Sequence, residues 1–362
     1  MHVSQQPDRF VFPFTELVGA LHLHTTFSDG GVTYPQMILA AQDVGLDYVV
    51  VTDHMALSGR DAGFEGFAGS LFVCVGYEHN DDNNKNHYLV LGTESVIGYH
   101  AEAQGYIDRV REAGGVGFMA HPAEKRHYFE AYPAYPWTNW NVTGFDGIEL
   151  WNQMSDWLEN LRTRLHFTRL FYPRRFLREA PRELLSRWDE FGRTRFVAGM
   201  GGVDAHTMKI RIGIMRRTVF PIKVELKGIR THLYLQNPLP PSDPKRSKSL
   251  LVEALKKGRS FISNFRRSDA RGSLIYLEYG EGRVVCPGMP DEEVPAPAII
   301  RVRLPREAEL RFIKNGSCID RRKGASADFD VRTKGSYRIE AWLGKHAWIY
   351  SNPFCVGGYP LW

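Results

Sequence analysis

Seven short apolar runs, each carrying a His, Asp, Glu or Asn at one end, constrain the fold of this chain more than any other feature. They are GALHLHTTFSDG (19–30), DYVVVTDH (47–54), LFVCVGYEHN (71–80), HYLVLG (87–92), GVGFMAHP (115–122), FDGIELWNQ (145–153) and RFVAGMGGVDAH (195–206). Helix-like segments lie between many of them. TYPQMILAAQDVGL (33–46) has Pro35 near its start and Gly45 near its end, and HAEAQGYIDRVREAGG (100–115) closes on Gly114-Gly115. Proline at the start and glycine past the end is the expected helix asymmetry. Strands alternating with helices predict βα units and a parallel sheet. Seven such strands in this length predict a barrel or barrel-like α/β fold.

The first run sets the chemical question. In a strand, residues i and i+2 share a face. His22 and His24 therefore project together, with Leu21 and Leu23 opposite, and Asp29 follows in a Gly-bounded turn. Two imidazoles beside a core are costly unless satisfied, either by hydrogen bonds or by a metal ion. The other runs add Asp53, His54, Glu78, His79, His87, His121, Asp204 and His206. Strand C-terminal ends converge on one rim in barrel folds, where the βα loops begin. So many histidines on one rim repel one another when protonated and are poorly satisfied when neutral. Divalent cations resolve both problems.

Charge and cysteine usage narrow the class. The formal net charge of +5 favours anionic partners weakly and does not indicate nucleic acid. Cys74, Cys286, Cys318 and Cys355 form no CxxC pair and read as free thiols of a reducing, cytoplasmic compartment. The N-terminal residues carry no basic, apolar signal pattern, and no window approaches a membrane span.

Two regions depart from the βα pattern. Residues 154–195 read as a helical, Arg-rich insertion, either a solvated surface or an electropositive rim. From about 268 the chain reads as short β segments with turn residues such as Asn315-Gly316, predicting a small all-β sandwich-like unit. The expected division is 1–265 and 266–362.

The HxH with a following SDG, then TDH, an isolated Glu after a third strand, HP, and DAH resemble the polymerase and histidinol phosphatase (PHP) domain across residues 19 to about 220. GIELWNQMSDW, RTHLYL, EALKKGRSFIS and WIYSNPF further resemble the branch that includes carbaryl-hydrolysing metallohydrolases. The resemblance implies a distorted (β/α)7 TIM-like barrel holding two or three divalent metals. It implies one metal on His22, His24, Glu78 and Asp204, and a second, bridged by Glu78, on His87 and His121. A third would lie on Asp29, His54 and His206. Mixed nitrogen and oxygen ligands suit zinc, manganese or iron.

A di- or trinuclear centre suits phosphoester hydrolysis by a metal-bound hydroxide near Glu78, with Asp204 or His206 as ligands or proton carriers. Lys125, Arg126, Lys209 and Arg211 follow AHPAE and DAH, and are candidates to bind a small anionic substrate, a phosphate ester or nucleotide. Trp151 and Asn152 either line a pocket or pack, and DDNNK (81–85) is a candidate gate. Gly201-Gly202 fits close backbone approach. A carbamate, ester or amide hydrolase is the alternative, implied by the resemblance to the carbaryl-hydrolysing branch; Arg-rich segments and the aromatic AYPAYPWTNW (131–140) both lie near the rim and leave the two open. A nucleic-acid-binding module is the third reading.

Overall fold

The computed structural model describes residues 11–127, 133–161, 173–212 and 215–361. It is a mixed α/β structure with a 13-stranded sheet, a five-stranded sheet and a two-stranded hairpin. The first part of the chain supplies β1 (Thr15–Leu23), β2 (Tyr48–Val51), β3 (Gly66–Ala68), β4 (Leu71–Val75), β5 (Tyr77–His79), β6 (Tyr88–Leu91), β7 (Val116–Met119), β8 (Gly147–Asn152) and β9 (Ala198–Gly202). Among them lie α1 (Tyr34–Asp43), α2 (Ser58–Asp61), α3 (Ala103–Glu112), α4 (Gln153–Glu159) and α5 (Arg182–Phe191). Then come β10 (Lys209–Ile212), β11 (Met215–Thr218), α6 (Ile222–Glu225), β12 (Ile229–Leu235), α7 (Pro244–Lys256) and β13 (Ser260–Asn264). The final part is β14 (Leu274–Tyr279), β15 (Arg283–Val285), β16 (Ala298–Lys314), β17 (Ser317–Val331), β18 (Gly335–Leu343), β19 (His346–Ser351) and β20 (Phe354–Val356).

Local signals place the elements. Gln36 Oε1 accepts from the Thr33 N–H at 3.0 Å at the start of α1, and Pro35 occupies its first turn. Met37, Ala40 and Ala41 turn inward at helical spacing. Strands β2 and β4 are buried along their whole length, which is why they read as unbroken apolar runs. Alternate residues enter different cores. Val49, Val51, Val73 and Val75 pack in one cluster with Met37 and Ala40 of α1. Tyr48, Val50, Phe72 and Cys74 join Leu89, Phe118 and Met200 in another, shared by both sheets.

The parallel pairs are β1–β2, β2–β4, β7–β8 and β8–β9, whereas β6 runs antiparallel to β5 and β7. Backbone hydrogen bonds join the two sheets at one end. Val203 N donates to Leu21 O at 2.9 Å and His24 N to Ala205 O at 3.1 Å. On the other flank, Glu78 N donates to Asp53 O at 3.3 Å and Met55 N to Glu78 O at 2.9 Å. The chain ends that carry His24, His54, Glu78, His121 and Asp204 are thereby gathered together. His87 reaches them from the start of β6 because that strand runs the opposite way.

The C-terminal strands, expected as a separate sandwich-like unit, continue the large sheet. Strand β13 pairs with β19, and β12 pairs with both β1 and β13. They also bury their own core, with Ile300, Leu310, Phe329 and Ile339 packed beside Tyr234 and Phe261. The β16–β17 hairpin turns at Asn315 (φ 49°) and Gly316 (φ 81°), the left-handed pair that a two-residue type I′ turn requires. In the Arg-rich stretch, α4 and α5 are helical, and residues 162–172 lie outside the described residues. All four cysteines are free thiols. No helix among the described residues is long and apolar enough to cross a membrane.

Candidate metal centre

Glu78 is the hub of the gathered ends. Its Oε2 lies 3.0 Å from His22 Nε2, 3.2 Å from His24 Nε2 and 3.5 Å from His54 Nδ1. Its Oε1 lies 2.8 Å from His87 Nδ1 and 3.1 Å from His121 Nε2. Asp204 Oδ1 stands 3.5 Å from Nε2 of both His22 and His24, and 3.3 Å from His206 Nδ1. Asp29, on an exposed turn, brings Oδ2 to 3.2 Å from His206 Nε2 and 3.7 Å from His54 Nε2. All nine ligand candidates therefore meet in one place, although they come from six separate stretches of chain.

The local backbone is irregular where it matters. His22 has φ 62°, and the β1–β2 register shifts between Ala20 and Leu23. The two histidines reach one carboxylate oxygen through this kink, not through a straight strand. His121 (φ 28°) and Asp204 (φ 56°) are likewise left-handed. Such non-glycine residues cost about 1–3 kcal/mol each and persist only where their surroundings hold them.

Carboxylates and imidazoles shift one another's protonation. Burial lowers His121, but the charge of Glu124 and the hydrogen bond with Glu78 push it up to about 9. His206 rises to about 10: its burial is outweighed by the hydrogen bond with Asp29 and the charge of Asp204. Burial holds His54 down to about 4 despite Glu78, leaving a neutral ring. Burial pushes the Glu78 and Asp204 carboxyls up, yet His22 and its neighbours hold both well below the usual range. The cluster thus favours added positive charge.

The donor set fits a metal ion. Neither ring nitrogen of buried His24, nor Nδ1 of His121, makes a hydrogen bond; such atoms in a core need a partner. Four overlapping sets each bring their ligand atoms within 4.8 Å of one another: His24, Asp29, His54 and His206; His22, His121 and Asp204; His22, His24 and Glu78; His54, Glu78 and His87. A mixture of nitrogen and carboxylate oxygen suits zinc, manganese or iron better than calcium.

Two polar residues at strand ends stay out of the cluster. His79 turns away, its ring tilted against Tyr106 at 4.3 Å between centroids, with Nε2 3.3 Å from Gly98 O. Asp53 braces the loop after β1 instead, accepting from Thr25 N and Thr25 Oγ1 at 2.7 Å and from Ser28 Oγ at 2.7 Å.

A cavity of about 430 Å³ opens over the cluster. Arg126 lines it, held by Glu124 Oε1 at 2.6 Å. Tyr135, stacked on His87 at 5.0 Å, forms one wall, with Met154, Leu158 and Met208. Lys125 is half exposed, pairs with Glu183 at 2.5 Å and does not line this cavity. The side chains of Lys209 and Arg211 lie outside the described residues. Trp151 is fully buried, donating to Asp156 Oδ2 at 3.1 Å, and packs edge-on against Tyr350. Asn152 caps α4 through Ser155 N at 2.8 Å. In the 81–85 loop, Asp81 accepts from Asn83 N at 3.0 Å and Lys85 N at 2.8 Å, and Asn84 Oδ1 meets His87 Nε2 at 3.2 Å.

Sequence reasoning passed over Glu149, Glu124 and Tyr135. Glu149 Oε1 meets His22 Nδ1 at 2.9 Å, and Oε2 accepts from His121 N at 2.6 Å. Its signal was a lone carboxylate inside the apolar run GIELWN, a costly place for a charge without a partner. Gly202 exists to admit it, since a Cβ there would fall 1.7 Å from Glu149 Oε1.

No family model and no curated protein matches the sequence. Among solved structures, the chain is similar to a two-domain protein from Bacteroides vulgatus described as containing a predicted PHP-like metal-dependent phosphoesterase. The identity is 13%, covering 97% of this chain and 98% of that one, with a TM-score of 0.46. It is also similar to PsfC from Pseudomonas syringae, at 13% identity over 66% of this chain and 96% of that one, TM-score 0.41. A third similar structure, from Bifidobacterium adolescentis, is provisionally described as a metal-dependent phosphoesterase; it is 16% identical over 57% of this chain and 93% of that one, TM-score 0.34.

Proposed function

We propose that this chain is a metal-dependent phosphoesterase of the PHP type, acting on a small phosphate ester or nucleotide. One observation carries the reading: a single buried carboxylate, Glu78, faces three imidazoles with one oxygen and two with the other. That is how a side chain shared by two cations is disposed. His22, His24 and Asp204 would hold one cation with Glu78, His87 and His121 a second, and Asp29, His54 and His206 a third. Bound divalent ions there supply Lewis acidity and lower the pKa of a coordinated water. A distorted (β/α)7 barrel accords with the ring of neighbours β1, β2, β4–β5, β6, β7, β8 and β9, which the bonds between residues 203–205 and 21–24 bring back to β1.

The protein's own groups then have separate tasks. Arg126, aimed by Glu124, binds a non-bridging phosphoryl oxygen and orients the ester. His206, whose pKa is raised, holds a proton beside the leaving oxygen, while Asp204 stays ionised as a ligand. Tyr135, Met154 and Leu158 exclude bulk water and receive the organic part.

A second reading, a carbamate, ester or amide hydrolase, is favoured by that same wall. Its apolar side chains outnumber its cations among the described residues, and Arg126 is already paired with Glu124. The two readings separate in one assay. Purified protein is analysed for metals and assayed on p-nitrophenyl phosphate and p-nitrophenyl acetate, beside His22→Ala. Two to three Mn, Zn or Fe per chain, with phosphate turnover lost in the variant, is the expected result. Turnover of acetate alone transfers the assignment to the second reading. Less than one metal per chain after reconstitution overturns both.

A further inference from the structure

Three of the cluster residues share a backbone peculiarity. His22, His121 and Asp204 have φ of 62°, 28° and 56°, all in the left-handed region. The same three form one of the sets whose ligand atoms converge within 4.8 Å. One small hydrogen-bonded unit touches all three. Glu149 Oε1 meets His22 Nδ1 at 2.9 Å, Glu149 Oε2 accepts from the His121 N–H at 2.6 Å, and Asn152 Nδ2 donates to Glu149 Oε2 at 2.9 Å and to Asp204 Oδ2 at 3.2 Å. Glu149 is 1% exposed and Asn152 is 6% exposed, so neither spends these bonds on water.

We propose that Glu149, seconded by Asn152, is a positioning residue that sets His22, His121 and Asp204 as ligands of a common cation. The inference rests on the metal-dependent reading above. Glu149 acts through atoms that do not face the cation. A proton on His22 Nδ1, donated to Glu149, leaves the Nε2 lone pair turned toward Glu78 and Asp204. The bond to His121 N holds that residue in a backbone conformation it would otherwise leave. Asn152 pins the outer oxygen of Asp204 and leaves Oδ1 for the imidazoles and the ion. Gly202 completes the arrangement, because any larger residue would displace the Glu149 carboxylate.

The geometry makes Glu149→Gln an informative change. An amide must turn its NH₂ toward either His22 Nδ1–H or the two donors His121 N–H and Asn152 Nδ2. The first orientation drives the His22 proton to Nε2, the atom needed by the ion. The second breaks the hold on His121. Full-length protein stripped by chelator is titrated with MnCl₂ and with ZnCl₂ in a calorimeter, and its thermal unfolding is recorded without metal. Glu149→Gln is expected to weaken metal binding by about 10–100-fold, the range found for outer-shell partners of ligating histidines. The metal-free Tm stays near that of the wild type, and heteronuclear NMR of the histidine rings shows the His22 proton redistributed from Nδ1. If Glu149→Gln does not fold, Asn152→Ser serves instead, with a smaller loss of affinity expected and no change in the His22 tautomer.

Wild-type affinity in a folded Glu149→Gln overturns the proposal. So does a fall in metal-free Tm large enough to account for the lost affinity, which would make Glu149 structural only. A wild-type protein that binds neither metal overturns the metal-dependent reading itself, a different failure from the first two.

Discussion

Strand β1 carries a histidine–carboxylate assembly at each end, and the two behave as opposites. Near its start, Glu16 Oε1 meets His232 Nδ1 at 2.7 Å, and His232 Nε2 meets Ser263 Oγ at 2.8 Å. Glu16, His and Ser in that order have the residue types of a hydrolytic triad. Yet His232 and Ser263 are wholly buried, and the ring stacks on Phe261 at 4.3 Å. Burial holds His232 below its ordinary pKa despite Glu16, so it carries one proton, donates one bond, accepts one and is finished. At the other end of β1, six imidazoles crowd Glu78, Asp204, Asp29 and Glu149, and buried ring nitrogens are left over. The contrast teaches that a site is marked by unsatisfied surplus, not by residue type. The sealed triad ties β1, β12 and β13 together. The crowded end is the one we propose to hold metal.

The largest effect that tests this contrast comes from Glu78→Gln. It should lower hydrolysis by about 10³-fold or more, the scale of losing an electrostatic group at a reacting centre, while the metal-free protein remains folded by circular dichroism. A folded variant with near wild-type turnover would remove Glu78 from the hub.

His232→Ala should do the reverse. Losing a packed ring and leaving Glu16 and Ser263 without their partner costs about 2–4 kcal/mol in denaturant unfolding. Metal affinity should not change. An equal loss of affinity would show that the two ends of β1 are coupled, and the contrast would fail.

Arg126 and Lys125 sharpen the comparison further. Arg126→Ala should reduce kcat/KM for a phosphate ester by about 10–100-fold, as the loss of a charge-assisted bond of about 1.5–3 kcal/mol implies. Lys125→Ala removes an exposed ion pair and should change little. Equal effects of the two would move the substrate away from the cavity beside Tyr135.

The smallest effect is a pH dependence. His121 and His206 rise to about 9 and about 10 in the folded, metal-free protein, against about 6.5 when unfolded. Their contribution to stability is complete below about pH 6.5, because both states then bind the proton. It declines as pH rises through 9 and 10, where the folded state releases it. Metal-free protein should therefore lose stability across that window, and metal-loaded protein should lose less. Calorimetric titration near pH 7.5 should also show protons released on metal binding, through heats that vary with buffer ionisation enthalpy. Heats independent of buffer would mean that the rim imidazoles are already neutral.

Much of this was legible along the chain, because its causes are local. Apolar runs ending in polar residues mark strands and the turns after them, and they single out eleven polar residues from His22 to His206, Asp53 and His79 among them; the set of nine ligand candidates is what the resemblance to the PHP domain implies. Thr33, Pro35 and Gly45 bound α1 through contacts within a turn or two. Asn315-Gly316 specifies its hairpin because few other pairs accept two left-handed residues. Tertiary packing decided the rest. Only the joining of the two sheets selects which imidazoles meet which oxygen of Glu78, turns His79 out toward Tyr106 and gives Asp53 to the loop after β1. Only pairing between β13 and β19, far apart in sequence, makes the C-terminal strands part of the large sheet. Glu149 was visible only as a charge in an apolar run. Its partners lie on β1, after β7 and at the end of β8, and a buried carboxylate acquires its meaning from whatever the fold brings within hydrogen-bonding distance.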